Sequence, residues 1–159
     1  MKNKALVAAF IILVTTAMGA HAFGVGAQFN FNAGKVFAPG VAAVISPTDN
    51  IHLAVNWRLG ADSSNIIGVT MDVCPLNFSL FGGFHFTLGG GIFASMVFGD
   101  DFGFEAGLRV PVGFSLVMIN RVFEIYTHIA PSFGVNFLPS LGFREAFFPI
   151  AIGARIWFR

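Results

Sequence analysis

Residues 84–98 read FHFTLGGGIFASMVF, and residues 104–118 read FEAGLRVPVGFSLVM. In the first stretch Phe84, Phe86, Leu88, Ile92, Met96 and Phe98 share one parity, while His85, Thr87, Gly89, Gly91 and Ser95 share the other. In the second, Phe104, Ala106, Leu108, Val110, Val112, Phe114 and Leu116 alternate with Glu105, Gly107, Arg109, Gly113 and Ser115. Residues two apart share a face of a strand, so each stretch predicts a strand greasy on one side and polar or small on the other. A helix is the competing reading, because no formal charge falls between Asp72 and Asp100. It fails on two counts. Gly82-Gly83 and Gly89-Gly90-Gly91 would each cost a helix up to about 1 kcal/mol per glycine relative to alanine, and the period is two throughout.

The alternation extends in both directions. Phe23, Val25, Ala27, Phe29 and Phe31 oppose Gly24, Gly26, Gln28, Asn30 and Asn32; Ile51, Leu53, Val55 and Trp57 oppose His52, Asn56 and Arg58. Turn residues divide the chain into eight segments: Phe23–Asn32, Gly40–Ser46, Ile51–Leu59, Ile66–Cys74, Phe84–Phe98, Phe104–Met118, Val122–Phe137 and Phe147–Phe158. The breaks hold clusters of Gly, Pro, Asn and Asp, notably Pro75 to Gly83 and Leu138 to Ala146. Gly40–Ser46 is ambiguous in parity. Transmembrane strands take roughly 9–11 residues each, which suits eight and crowds ten. The fold predicted is all-β: an eight-stranded antiparallel up-and-down transmembrane β-barrel.

Composition agrees. The hydrophobic fraction is 55% and the charged fraction 11%, against roughly 45–50% and about 25% in soluble domains. A soluble sheet hides its greasy face; a membrane barrel turns it to lipid and keeps the polar face inside. The first residues carry Lys2 and Lys4, an apolar run from Ala5 to Val14, and then Ala20-His21-Ala22. That order describes a secretory signal peptide over residues 1–22, cleaved before Phe23. Residues 23–159 then form the barrel domain, with seven basic against eight acidic side chains once Lys2 and Lys4 are gone. No basic stripe suggests nucleic acid. Cys74 is the only cysteine, so no internal disulfide forms.

The last segment sets Phe148, Ile150, Ile152, Ala154, Ile156 and Phe158 against Pro149, Ala151, Gly153, Arg155 and Trp157. It resembles the C-terminal assembly signal of bacterial outer-membrane proteins, although Arg159 follows the aromatic where that pattern stops. Residues 104–158, through Gly107-Leu108-Arg109-Val110-Pro111-Val112-Gly113, Phe123-Glu124-Ile125, Ala130-Pro131 and Gly153-Ala154-Arg155-Ile156-Trp157-Phe158, resemble small outer-membrane barrels of the OmpA/OmpX/OmpW type. They also resemble a short spirochaete barrel family whose role is poorly defined. The resemblance implies the bacterial outer membrane as location. It implies two partners, outer-membrane lipids and the barrel-assembly machinery, the latter engaged through the strand ending at Phe158. It transfers no catalytic residue.

An eight-stranded barrel is just wide enough for side chains to fill it. By parity its lumen receives His52, Asp72, Glu105, Arg109, Glu124, His128 and Arg155, with Arg58 and His85. Charges in a low-dielectric lumen require partners. Hairpin registers set His52 opposite Asp72 and His128 near Arg155, and they leave Glu105 and Glu124 as the acids best placed to meet Arg109 and Arg155. Two readings follow: a lumen plugged by ion pairs, with a structural or surface role, or an OmpW-like narrow conduit for small or hydrophobic molecules. Three inward histidines, His52, His85 and His128, have the chemistry for zinc, but their strands are not neighbours, so no metal or other cofactor is expected. The outward parity holds almost no His, Ser, Asp or Glu, and no nucleophile–base–acid set is visible; no enzymatic activity is expected. The connections on the side away from the N-terminus, Ala33–Pro39, Gly60–Asn65, Gly99–Gly103 and Leu138–Ala146, are short and carry Asp62, Asp100, Asp101 and Glu145.

Overall fold

The computed structural model describes residues 22–33, 39–60, 64–99 and 101–158. The signal peptide expected over residues 1–22 therefore lies almost wholly outside the described residues. Ten antiparallel strands form one closed sheet: β1 (Phe23–Ala33), β2 (Gly40–Thr48), β3 (Ile51–Leu59), β4 (Asn65–Phe81), β5 (Phe84–Phe98), β6 (Gly103–Arg109), β7 (Val112–Met118), β8 (Phe123–Ile129), β9 (Ser132–Leu138) and β10 (Gly142–Phe158). β1 to β6 pair in chain order, β5 also pairs β7, β6 pairs β9, β7 pairs β8, β10 pairs both β8 and β9, and β1 closes on β10 from Phe23↔Phe158 to Ala33↔Phe148.

The strand count differs from the eight expected, and proline is the reason. Proline has no N–H to give a ladder. Pro111 separates β6 from β7, and Pro131 separates β8 from β9. The sheet nevertheless runs on across both breaks. The Gly89 N–H reaches the Pro111 carbonyl at 3.0 Å, and the Val110 N–H reaches the Pro131 carbonyl at 2.9 Å. The ten strands thus occupy eight staves, with β6–β7 and β8–β9 each a single stave broken in the middle.

Two expected connections are mostly strand. Pro75 to Gly83 was expected as a break, yet β4 continues to Phe81 and only Gly82-Gly83 turns the chain. Both glycines take left-handed φ values, 48° and 86°, which a glycine adopts without strain. Val73 opposes Gly90 and Leu76 opposes Leu88, so Cys74 and Pro75 together face Gly89. This one-residue bulge shifts the parity, and Leu76, Phe78 and Leu80 stay on the exposed face. Leu138 to Ala146 was likewise expected as a loop, but β10 begins at Gly142. A second bulge sets Glu145 and Ala146 between the pairs Arg144↔Gly134 and Phe147↔Ser132. The ambiguous second segment resolves cleanly: Ala42, Val44 and Ser46 face in, while Val41 and Ile45 face out.

The sheet has two unlike faces. Leu108 is 66% exposed and its chain neighbour Arg109 only 7%. The same contrast runs round the barrel, with Val55, Val69, Ile92, Phe133 and Ile152 outside and Asn30, Asn56, Asp72, Ser95 and Ser132 inside. The only buried apolar cluster among the described residues is the small trio Ala42, Val44 and Ala54. The interior is a polar network rather than a hydrophobic core.

Candidate functional site

The lumen holds three tiers of charge. At the end bearing the tight turns, Glu124 of β8 stands opposite Arg155 of β10 in the ladder. Their side chains meet at 3.0 Å, and Trp157 Nε1 donates to the other Glu124 oxygen at 2.6 Å. Arg155 also lies over the Tyr126 ring, 4.3 Å from its centroid. It donates to Ser46 Oγ at 2.9 Å and approaches His52 Nδ1 at 2.6 Å. A guanidinium only donates, so His52 Nδ1 accepts and the ring is neutral, with its proton on Nε2.

In the middle tier Asp72 and Arg109 sit on β4 and β6, with β5 between them. In register, Asp72, Gly91 and Arg109 stand side by side. Gly91 has no side chain to obstruct, so Arg109 Nε passes over it and pairs with Asp72 Oδ1 at 3.1 Å. A methyl at Gly91 would press on that carboxylate. Arg109 Nη2 also faces His128 Nε2 at 3.3 Å, which by the same donor logic is an acceptor on a neutral ring.

In the third tier Glu105 of β6 is shared. Arg144 of β10 closes on its Oε2, and Arg58 of β3 lies 4.0 Å from its Oε1. Arg144 covers the Phe147 ring at 4.0 Å, and Phe147 meets Phe93 edge to face.

A chain of neutral hydrogen bonds links the tiers. Tyr126 donates to Gln28, Gln28 to Asn30, and Asn30 to Asn56, at 2.9, 2.7 and 2.8 Å. Gln28, Gly153 and Tyr126 are register neighbours, so again a glycine leaves room for two long side chains to meet. A Cβ at Gly153 would stand 2.6 Å from the Tyr126 ring. Gly153→Ala is therefore expected to displace Tyr126, break the Tyr126–Gln28 bond and cost about 1–3 kcal/mol as overpacking; denaturant unfolding in detergent measures it.

All seven residues singled out from the sequence line the interior, but several partners differ from those expected. His52 is opposite Asp72 in the ladder, yet its ring nitrogen turns to Ser46 and Arg155. Arg109 meets Asp72 rather than Glu105, and His128 meets Arg109 rather than Arg155. Arg144 falls in the Leu138 to Ala146 break of the sequence pattern but lies in β10. The bulge at Glu145 and Ala146 hides its parity, and only the alternation of Phe143 and Arg144 marks it as inward. His85 lies apart at the turn end, bonded to Asn77. Among the described residues, no three His, Cys, Asp or Glu side chains are grouped to hold a metal.

Two small hollows lie in the middle of the lumen, and a third of about 100 Å³ lies at the turn end against His85, Ser115, Glu124 and Trp157. Of the two in the middle, one of about 40 Å³ touches His52, Asp72, Tyr126 and Arg155; another of about 30 Å³ touches Asn56, Arg58, Ser95 and Arg109. Each has room for only about three waters. A far larger hollow of about 630 Å³ lies against the outward side chains Ile45, Val55, Met71 and Ile92 and belongs to the apolar girdle.

No protein-family model and no curated protein matches the chain. Solved structures do match it. Neisserial surface protein A superposes with a TM-score of 0.57 at 13% identity, covering 86% of this chain and 96% of that one. The N-terminal β-barrel domain of Pseudomonas aeruginosa OprF superposes with a TM-score of 0.55 at 12% identity, covering 87% and 98%. The fold is that of the small outer-membrane β-barrel proteins.

Proposed function

We propose that this chain is an integral barrel of the bacterial outer membrane, exported by a cleaved signal over residues 1–22, with a structural or surface role and a lumen plugged by its own side chains. The adjacency of exposed Leu108 and buried Arg109, repeated round every stave, carries this reading. Lipid is the solvent that such an exterior requires. Plugging is supported by the three tiers of ion pairs and by the small size of the hollows in the middle of the lumen. Its partners are outer-membrane lipids and the barrel-assembly machinery, the latter engaging β10, whose terminal Phe158 is exposed beside the β1 seam. The reading assigns no catalysis, cofactor or nucleic acid.

The test is refolding of residues 23–159 in detergent. The expected result is a β circular dichroism spectrum, different gel mobility before and after boiling, and no steady conductance in a planar bilayer. A soluble monomer without detergent, or a helical spectrum, overturns the membrane reading. Steady conductance overturns the plug and favours a conduit.

A further inference from the structure

The charge count of the lumen is uneven. Among the described residues four guanidiniums enter ion pairs there, Arg58, Arg109, Arg144 and Arg155, against three carboxylates, Asp72, Glu105 and Glu124. Arginine does not release its proton in a protein. His52 and His128 accept from arginines and contribute no charge. One positive charge is therefore in excess.

The surplus falls at one place. Asp72 is engaged by Arg109 and Glu124 by Arg155, whereas Glu105 closes on Arg144 and leaves Arg58 4.0 Å away. Arg58 is 8% exposed, and its hydrogen bond to Ser95 is long, at 3.4 Å. A buried cation with so little compensation is costly. Beside it lies the hollow of about 30 Å³, whose walls include Arg58, Arg109, Asn30, Asn56, Ser95 and Ser132 and no carboxylate. Asn32, 9% exposed in the same wall, has an oxygen without a hydrogen-bond partner among the described residues. Turning that amide over would present its NH₂ to the hollow instead.

We propose that this hollow binds one small monovalent anion of the halide class, held by Arg58 with Arg109 and the asparagine amides around it. The hollow has room for one such ion. The proposal rests on the closed-lumen reading above, since a wet channel would screen the excess charge.

Thermal unfolding of the refolded barrel in sodium chloride, against sodium gluconate at equal ionic strength, tests it. Ligand linkage predicts a melting point that rises about 3–5 °C for each tenfold increase in chloride above half-saturation. Arg144→Met frees Glu105 for Arg58, balances three cations against three anions, and should abolish the chloride dependence. Arg58→Met should abolish it too; if that buried variant does not fold, Arg144, whose side chain is 26% exposed, carries the test alone. Bromide soaked into crystals should give an anomalous peak beside Arg58. Equal melting points in the two salts overturn the proposal, as does a chloride effect that survives in Arg144→Met. Planar-bilayer conductance tests the closed lumen separately, so the two failures are distinguishable.

Discussion

Glu124→Gln is expected to lower the unfolding free energy in detergent by about 3–5 kcal/mol, the cost of stranding one member of a buried ion pair. The stranded group is Arg155, 6% exposed and bonded to Glu124 at 3.0 Å. Glutamine can still accept from Trp157 Nε1, but its NH₂ then faces Arg155, so the loss combines the charge with the Arg155 hydrogen bond. The Tyr126 and Trp157 rings flank the guanidinium and offset only part of it. The double variant Glu124→Gln with Arg155→Gln should recover much of the loss, because it removes both charges together. Urea titrations of wild type, both single variants and the double variant check this. A loss for Glu124→Gln below about 1 kcal/mol, the value of exposed pairs, would mean the lumen is wet.

The second large effect lies on the other face. Leu108→Arg places a charge in the apolar girdle near the middle of its stave, and should cost about 2–4 kcal/mol if that girdle meets lipid. Ser115→Arg is the contrast. Ser115 is buried in the lumen, so arginine there strains the interior but leaves the barrel able to insert into vesicles. Equilibrium unfolding and vesicle insertion assays separate the two. A harmless Leu108→Arg would invert the assignment of inside and outside.

The period-two pattern made most of the architecture legible, because parity alone decides the face of a strand. It placed Leu108 outside and Arg109, Glu124 and Arg155 inside. It failed where one extra residue enters a strand. At Cys74 and Pro75 the alternation before and after disagrees by one, and a reader of parity sees a connection where the chain stays extended. The same shift at Glu145 and Ala146 concealed Arg144, which closes one tier of the network. Partner choice was less legible still. Arg109 reaches Asp72 only because β5 offers Gly91 between them. That meeting depends on the stagger of three strands, and no local spacing encodes it.

The prolines that split two staves bear on the chain before it has closed. Long apolar-faced strands are templates for cross-β stacking, and proline is the residue that such stacks exclude. Every stave longer than eleven residues carries an interruption. It is Pro75 in β4, Pro111 between β6 and β7, Pro131 between β8 and β9, Pro149 in β10, and in β5 the triple glycine Gly89-Gly90-Gly91. In the finished barrel the last three of those prolines lend their carbonyls to Gly89, Val110 and Ala130 across the neighbouring stave, at 2.9–3.0 Å. The same residues that interrupt the long staves therefore serve as acceptors across them in the closed barrel.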